Sequence, residues 1–227
     1  MKIVFISPIC KVFIKTRLFK HNFNQHIMKE LLFTLAIILI TFFNVLGQVP
    51  DRAEDVSPLL ISEQIPEVDI TSPDRNTVSI KDVVKEKRSI LVFYRGGWCP
   101  YCNKHLSAIG EAKQEILNLG YQIIAISPDS PDELKKSVDK NELSYDLYSD
   151  SDGKLIIEMG IAFQASEKYS SMLLKYSGNK NSGILPVPSL FVIDTDGTIL
   201  FEYISPNYKN RITESLLLSV LKDLNKE

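Results

Sequence analysis

Beyond residue 47 the chain has two cysteines, Cys99 and Cys102, three positions apart where an apolar run gives way to a helical pattern. Ile90–Tyr94 is five apolar or aromatic residues in a row, bounded by Lys87-Arg88 and Gly96-Gly97, as expected of a buried strand. Past Cys99 the period changes: Ile109, Ala112, Ile116 and Leu119 recur at helical spacing, and Gly120 stops them. The run Trp98-Cys99-Pro100-Tyr101-Cys102 therefore belongs at a strand-to-helix junction. Unpaired amides and the positive end of the dipole stabilise an anion there, and the thiolate is the reactive form of cysteine. Cys99 takes that position. Cys102 lies one turn further in, shielded, and close enough to close a small disulfide ring. The spacing predicts that Cys99 attacks and Cys102 resolves. Arg95 and the amides of Gly96 and Gly97 are placed to add positive potential, a solvated Arg95 being the alternative.

Competing uses of the pair lack residues they need. Zinc on Cys99-x-x-Cys102-x-x-His105 wants a fourth ligand, and the other histidines, His21 and His26, stand far upstream. Haem attachment wants histidine directly after the second cysteine, where Asn103 stands. A structural bridge across so short a loop constrains the unfolded chain little. No metal and no cofactor is expected. His105 reads as a helix-surface residue and Trp98 as a packing lid beside the thiol.

Short strands are expected at 68–70 and 78–80, either side of the turn Ser72-Pro73-Asp74-Arg75-Asn76, and at 121–126 and 146–148. Ser130-Pro131-Asp132-Glu133 is a helix start, and that helix runs to about Glu142. A helix follows at 154–159. The polar stretch 164–185 reads as a surface insertion with one helical piece. Residues 189–193 and 198–203 form a hairpin across Asp194-Thr195-Asp196-Gly197, and an amphipathic helix at 210–225 closes the chain. This order implies an α/β fold, a central mixed β-sheet flanked by helices.

The first 47 residues differ. Lys2, Lys11, Lys15, Arg17, Lys20 and Lys29 precede the first acid, Glu30, and Leu31–Leu46 carries no charge. That run is short for a span of ~20 residues and fits the apolar part of a secretory signal. Cleavage before Gln48 is expected, with an uncleaved N-terminal anchor as the alternative; Met28-Lys29 would make a compact start. Both place the domain outside the cytoplasm, periplasmic or anchored facing the periplasm. The expected divisions are a leader at 1–47, a polar linker at 48–59 and a folded domain at 60–227. Residues 48–227 carry 20 basic and 27 acidic side chains, without a basic cluster, which argues against nucleic acid as a partner. The membrane enters only through a retained anchor.

The segment Tyr94-Arg95-Gly96-Gly97-Trp98-Cys99-Pro100-Tyr101-Cys102-Asn103-Lys104-His105-Leu106 resembles the active-site signature of peroxiredoxin-like proteins. These form the alkyl hydroperoxide reductase/thiol-specific antioxidant (AhpC/TSA) branch of the thioredoxin superfamily. The resemblance runs from about Leu60 to the C-terminus and takes in Ile65-Pro66-Glu67-Val68, Ile124-Ala125-Ile126-Ser127-Pro128-Asp129 and Phe191-Val192-Ile193-Asp194. It implies a thioredoxin-like fold and reduction of hydroperoxides by Cys99, with Cys102 resolving and a thioredoxin-like protein as donor. It also implies a cis Pro188 facing the dithiol, and a substrate site of Pro188, Arg95, Gly97 and Trp98. Two positions depart from the pattern: Gly96 stands where these proteins carry threonine or serine, and Pro188 where their later arginine is sought. The Trp-Cys-Pro-x-Cys core is instead like thioredoxins and membrane-tethered periplasmic reductases, which implies a disulfide substrate as the alternative.

Overall fold

The computed structural model describes residues 27–35, 49–141 and 145–226. The chain divides into two units, Met1–Gln48 and Val49–Glu227. In the first, residues 27–35 form an exposed helix, α1. Most of the apolar run 31–46 and the expected cleavage point lie outside the described residues. No helix among the described residues is long and apolar enough to cross a membrane.

The second unit opens with a 3-10 turn at Ala53–Asp55, followed by β1 (Asp69–Thr71), β2 (Thr77–Ser79), α2 (Ile80–Lys85) and β3 (Ser89–Phe93). Next come α3 (Pro100–Glu111), α4 (Lys113–Asn118), β4 (Gln122–Ser127), α5 (Pro131–Asn141), β5 (Asp146–Ser149) and α6 (Lys154–Glu158). Then follow β6 (Ala162–Gln164), α7 (Ser170–Tyr176), β7 (Ile184–Pro186), β8 (Ser189–Ile193), β9 (Ile199–Ile204) and α8 (Glu214–Leu224). Seven strands form one sheet in the order β2-β1-β5-β4-β3-β8-β9, and β6 pairs with β7 apart from it. Strands β3, β4 and β5 run parallel, while β8 lies antiparallel on the other side of β3, so the sheet is mixed.

Burial on both faces explains why the central strands are apolar throughout. Ile90 and Val92 of β3 face a cluster completed by Leu106 and Ile109 of α3, Ile116 of α4, Leu134 of α5 and Leu217 and Leu221 of α8. Leu91 and Phe93 face the opposite cluster, with Ile80 and Val84 of α2 and Leu155 and Ile156 of α6. Cys99 and Cys102 belong to the first cluster. The dithiol is thus built into a core wall.

Several elements differ from expectation. The helix after Cys99 breaks at Ala112 into α3 and α4. Ile80 begins a helix instead of ending a strand. The expected end of α5 at Glu142 lies outside the described residues. The insertion at 164–185 holds its helical piece but is pinned by the β6–β7 pair, with Leu173 and Leu185 buried. Residues 49–59, part of the expected 48–59 linker, are tied to the domain. Gln164 N–H donates to Pro50 O (2.8 Å), Leu59 N–H to Met159 O (3.2 Å), and Val49 and Leu59 pack on the core.

Candidate active site

At the end of β3 the Tyr94 N–H donates to Ile126 O of β4 (3.0 Å), and the chain then leaves the sheet. Gly96 makes the turn with φ +137°, a conformation that residues with a Cβ rarely adopt. Cys99 is the N-cap of α3 with extended backbone (φ −92°, ψ 114°), Pro100 follows at the first turn, and Asn103 N–H donates to Cys99 O (3.1 Å). Proline lacks an N–H that would be unpaired there, so the sequence suits a helix start.

Both sulfurs are buried, with Cys99 2% and Cys102 1% exposed, and both are free thiols. They titrate as a pair driven apart. Cys99 falls to about 6, chiefly because the Cys102 thiol hydrogen-bonds its sulfur; backbone N–H groups of Cys102 and Tyr101 and the charge of Arg95 add to this, and desolvation opposes it. Cys102 is pushed up by that same hydrogen bond to Cys99 and by burial. Of the two thiols Cys99 is thus the more acidic, and the thiolate is the nucleophilic form.

Arg95 is not solvated. It is 6% exposed, and its guanidinium carbon lies 5.4, 5.1 and 4.9 Å from the ring centres of Trp98, Tyr169 and Tyr208. Its Nε is buried without a hydrogen-bond partner. Tyr169 comes from the 164–185 segment and Tyr208 from the loop after β9, so two distant segments complete this cage. Arg95, Tyr169, Tyr208, Pro188, Arg52 and Lys168 help line a cavity of about 320 Å³.

Other expected site residues take different parts. Gly97 does not offer a free amide. Its N–H donates to Asp129 Oδ2 (2.6 Å) and its carbonyl accepts from Asn103 Nδ2 (2.9 Å). A Cβ at Gly97 would sit 2.1 Å from Ser137 Oγ, which explains the glycine. Trp98 is half-buried, its ring tilted against Tyr169 at 6.1 Å between centres. Pro188 lines the cavity, but its peptide bond is trans, as are all others among the described residues. Val187 N–H donates to Ile161 O (2.8 Å) and Pro188 O accepts from Ser205 N–H (3.1 Å), so hydrogen bonds on both sides hold the segment with the more favourable isomer. His105 is not a surface residue either. Burial and the nearby Arg211 charge bring it down to about 4, and its Nε2 is buried without a partner.

Two residues escaped the sequence reading. Asp129, 1% exposed, holds the Gly97 amide, and burial raises its carboxyl to about 7. Arg211 donates from Nη2 to Cys102 Sγ at 3.5 Å. Gly96 also gains an explanation. A Cβ there would meet Trp98 Nε1 at 2.3 Å and Asp129 Oδ1 at 2.7 Å, so no threonine or serine fits.

The AhpC/TSA family model matches residues 61–201, more than half of the chain. The chain belongs to that family. It is 24% identical over 168 residues to peroxiredoxin Bcp of Escherichia coli K12, covering 74% of this chain and 99% of that one. It is 26% identical over 157 residues to the thiol-disulfide oxidoreductase ResA of Bacillus thuringiensis, covering 69% and 76% respectively. Its fold is like that of reduced Prx3 from Vibrio vulnificus in complex with hydrogen peroxide (TM-score 0.62, 12% identity, 72% of this chain and 99% of that one). It is also like peroxidoxin BcpB from Mycobacterium tuberculosis (TM-score 0.58, 17% identity, 72% and 97%). The fold is therefore thioredoxin-like, and this AhpC/TSA member is an oxidoreductase.

Proposed function

We propose that the protein is a thiol peroxidase that reduces hydroperoxides through Cys99. The observation that carries this reading is the placing of Cys99: a thiol held near 6 at a helix N-terminus, beside a buried arginine whose contacts are aromatic faces rather than a carboxylate. The Cys99 thiolate attacks the distal oxygen of ROOH. The O–O bond breaks, Cys99 becomes a sulfenic acid that keeps the distal O–H, and the leaving RO⁻ takes a proton from solvent to depart as ROH. Cys102 then attacks the Cys99 sulfur, water leaves, and a disulfide forms. A dithiol donor of thioredoxin-like type restores the pair with two electrons. Arg95, in place of the later arginine of other peroxiredoxins, supplies fixed positive charge where the leaving oxygen becomes negative. The cavity formed by Arg95, Pro188 and the two tyrosines receives the organic part of the hydroperoxide.

The apolar run 31–46 and the acidic remainder support export, with the domain working in the periplasm, free or held by its own leader. Cell fractionation settles this part separately, and recovery in the cytoplasm contradicts it.

A second reading has its own support: the Trp-Cys-Pro-Tyr-Cys run and the match to ResA favour a thiol–disulfide oxidoreductase acting on protein substrates. Two assays on residues 48–227 separate the readings. Peroxide consumption coupled to a thioredoxin system, exceeding that of a Cys99→Ser variant by orders of magnitude, is the outcome expected of a peroxidase. Rapid insulin reduction with no peroxide consumption selects the other.

A further inference from the structure

Arg211 stands in the loop between β9 and α8, 109 positions after the cysteine it meets. Its Nη2 donates to Cys102 Sγ over 3.5 Å, while Nη1 donates to the carbonyl oxygens of Tyr208 and Asn210, which hold the guanidinium in place. The Arg95 backbone also hydrogen-bonds Cys102, and the titratable groups near this thiol differ from Arg211 in kind. His105, one turn along α3, is kept neutral by burial and by Arg211 itself. The Tyr94 hydroxyl is kept neutral by complete burial. Cys99 shares a hydrogen bond with Cys102, so two negative sulfurs side by side are disfavoured.

This arrangement changes when Cys99 is oxidised. In the resting dithiol the Cys99 thiolate accepts a hydrogen bond from the Cys102 thiol, which keeps its proton and stays inert. Conversion of Cys99 to a neutral sulfenic acid removes that charge, and Arg211 becomes the charged group in contact with Cys102. We propose that Arg211 is the positioning residue of the resolving step: it orients Cys102 and stabilises its thiolate once Cys99 has been oxidised. The resolving sulfur then becomes nucleophilic when its target appears. This rests on the peroxidase reading. In the step, Cys102 gives up its proton and attacks Cys99 Sγ. The S–O bond breaks as the S–S bond forms, and the departing hydroxide takes up the proton as water. A sulfenic acid and a thiol become a disulfide and water, with no further oxidant.

Two measurements test this, and the first needs no peroxide. In a Cys99→Ser background the Cys102 thiol is titrated by its alkylation rate against pH, with Arg211, with Arg211→Gln and with Arg211→Lys. The glutamine raises the midpoint by about one pH unit or more, the usual effect of removing an adjacent opposite charge, and lysine restores most of it. A midpoint indifferent to Arg211→Gln overturns the proposal. The second treats the two-cysteine protein with one equivalent of hydrogen peroxide and follows sulfenic acid, by a trapping dione, and disulfide in one time course. In Arg211→Gln, disulfide closure falls about tenfold relative to sulfenic acid formation, since one pKa unit is a factor of ten; an unchanged ratio overturns the proposal. Absence of any sulfenic acid in the wild type defeats the peroxidase reading instead, and the alkylation titration still decides the role of Arg211.

Discussion

The chemistry reduces to one sulfur and the charges around it. Cys99 is held at about 6 by the Cys102 thiol, by helix-end amides and by Arg95. Thiolate absorbance of the reduced protein should therefore titrate near 6, and this transition should vanish in Cys99→Ser. Removing the Arg95 charge while keeping its bulk, as in Arg95→Met, should raise that midpoint and slow the peroxide reaction about tenfold or more, as loss of a fixed electrostatic partner does. A midpoint and rate unchanged in Arg95→Met would show that the helix end alone activates the thiol. At this scale the sequence was legible wherever partners were neighbours. The two thiols and Arg95 all lie within eight positions of one another. Asp129 reaches Gly97 across 32 positions and Arg211 reaches Cys102 across 109, and no local pattern marks such pairs.

Among the elements, the β3–α3 turn is the most demanding. Gly96 combines a positive φ with a Cβ position already taken by the Trp98 indole and the Asp129 carboxyl. Gly96→Ala should cost about 1–3 kcal/mol of stability, the range for strained backbone, and slow Cys99 as the loop shifts. Denaturant unfolding and alkylation kinetics check the two effects. Farther away, Thr213 caps α8 by accepting from Leu216 N–H at 3.3 Å. Thr213→Ala should cost about 1 kcal/mol and leave peroxide kinetics unchanged. Periodicity located the central strands and most helices within a residue or two, because burial on both faces of β3, β4 and β8 makes their runs apolar throughout. It missed β6 and β7, which are three residues each and pair across the polar 164–185 segment. It also read 48–59 as a linker, since the hydrogen bonds that dock its described part are made by backbone to Gln164 and Met159, and the side chains that pack, Val49 and Leu59, follow no period.

Across the whole molecule, buried titratable groups tie stability to pH in opposing directions. Asp129 and Asp150 titrate at about 7 and about 6 in the folded chain, against 3.8 when exposed, because burial disfavours their charged forms. Between those values the native state binds more protons than the unfolded one. Their cost to stability therefore grows as pH rises from about 4 to about 7. Cys99, at about 6 against 9.0, contributes stability that grows from about pH 6 to 9, and His105, at about 4 against 6.5, does so over about pH 4 to 6.5. The stability gain of Asp129→Asn over wild type should accordingly be larger at about pH 8 than at about pH 5. Paired thermal melts measure it, and a gain independent of pH contradicts the raised carboxyl.

Whether the fold turns Cys99 into a peroxide-reducing thiolate is read by stopped-flow mixing of the reduced domain with hydrogen peroxide, followed by Trp98 fluorescence. The expected second-order rate is orders of magnitude above that of a free thiol, rises through about pH 6 and is abolished by Cys99→Ser. A rate no greater than that of a free thiol would contradict a peroxide-reducing role for Cys99.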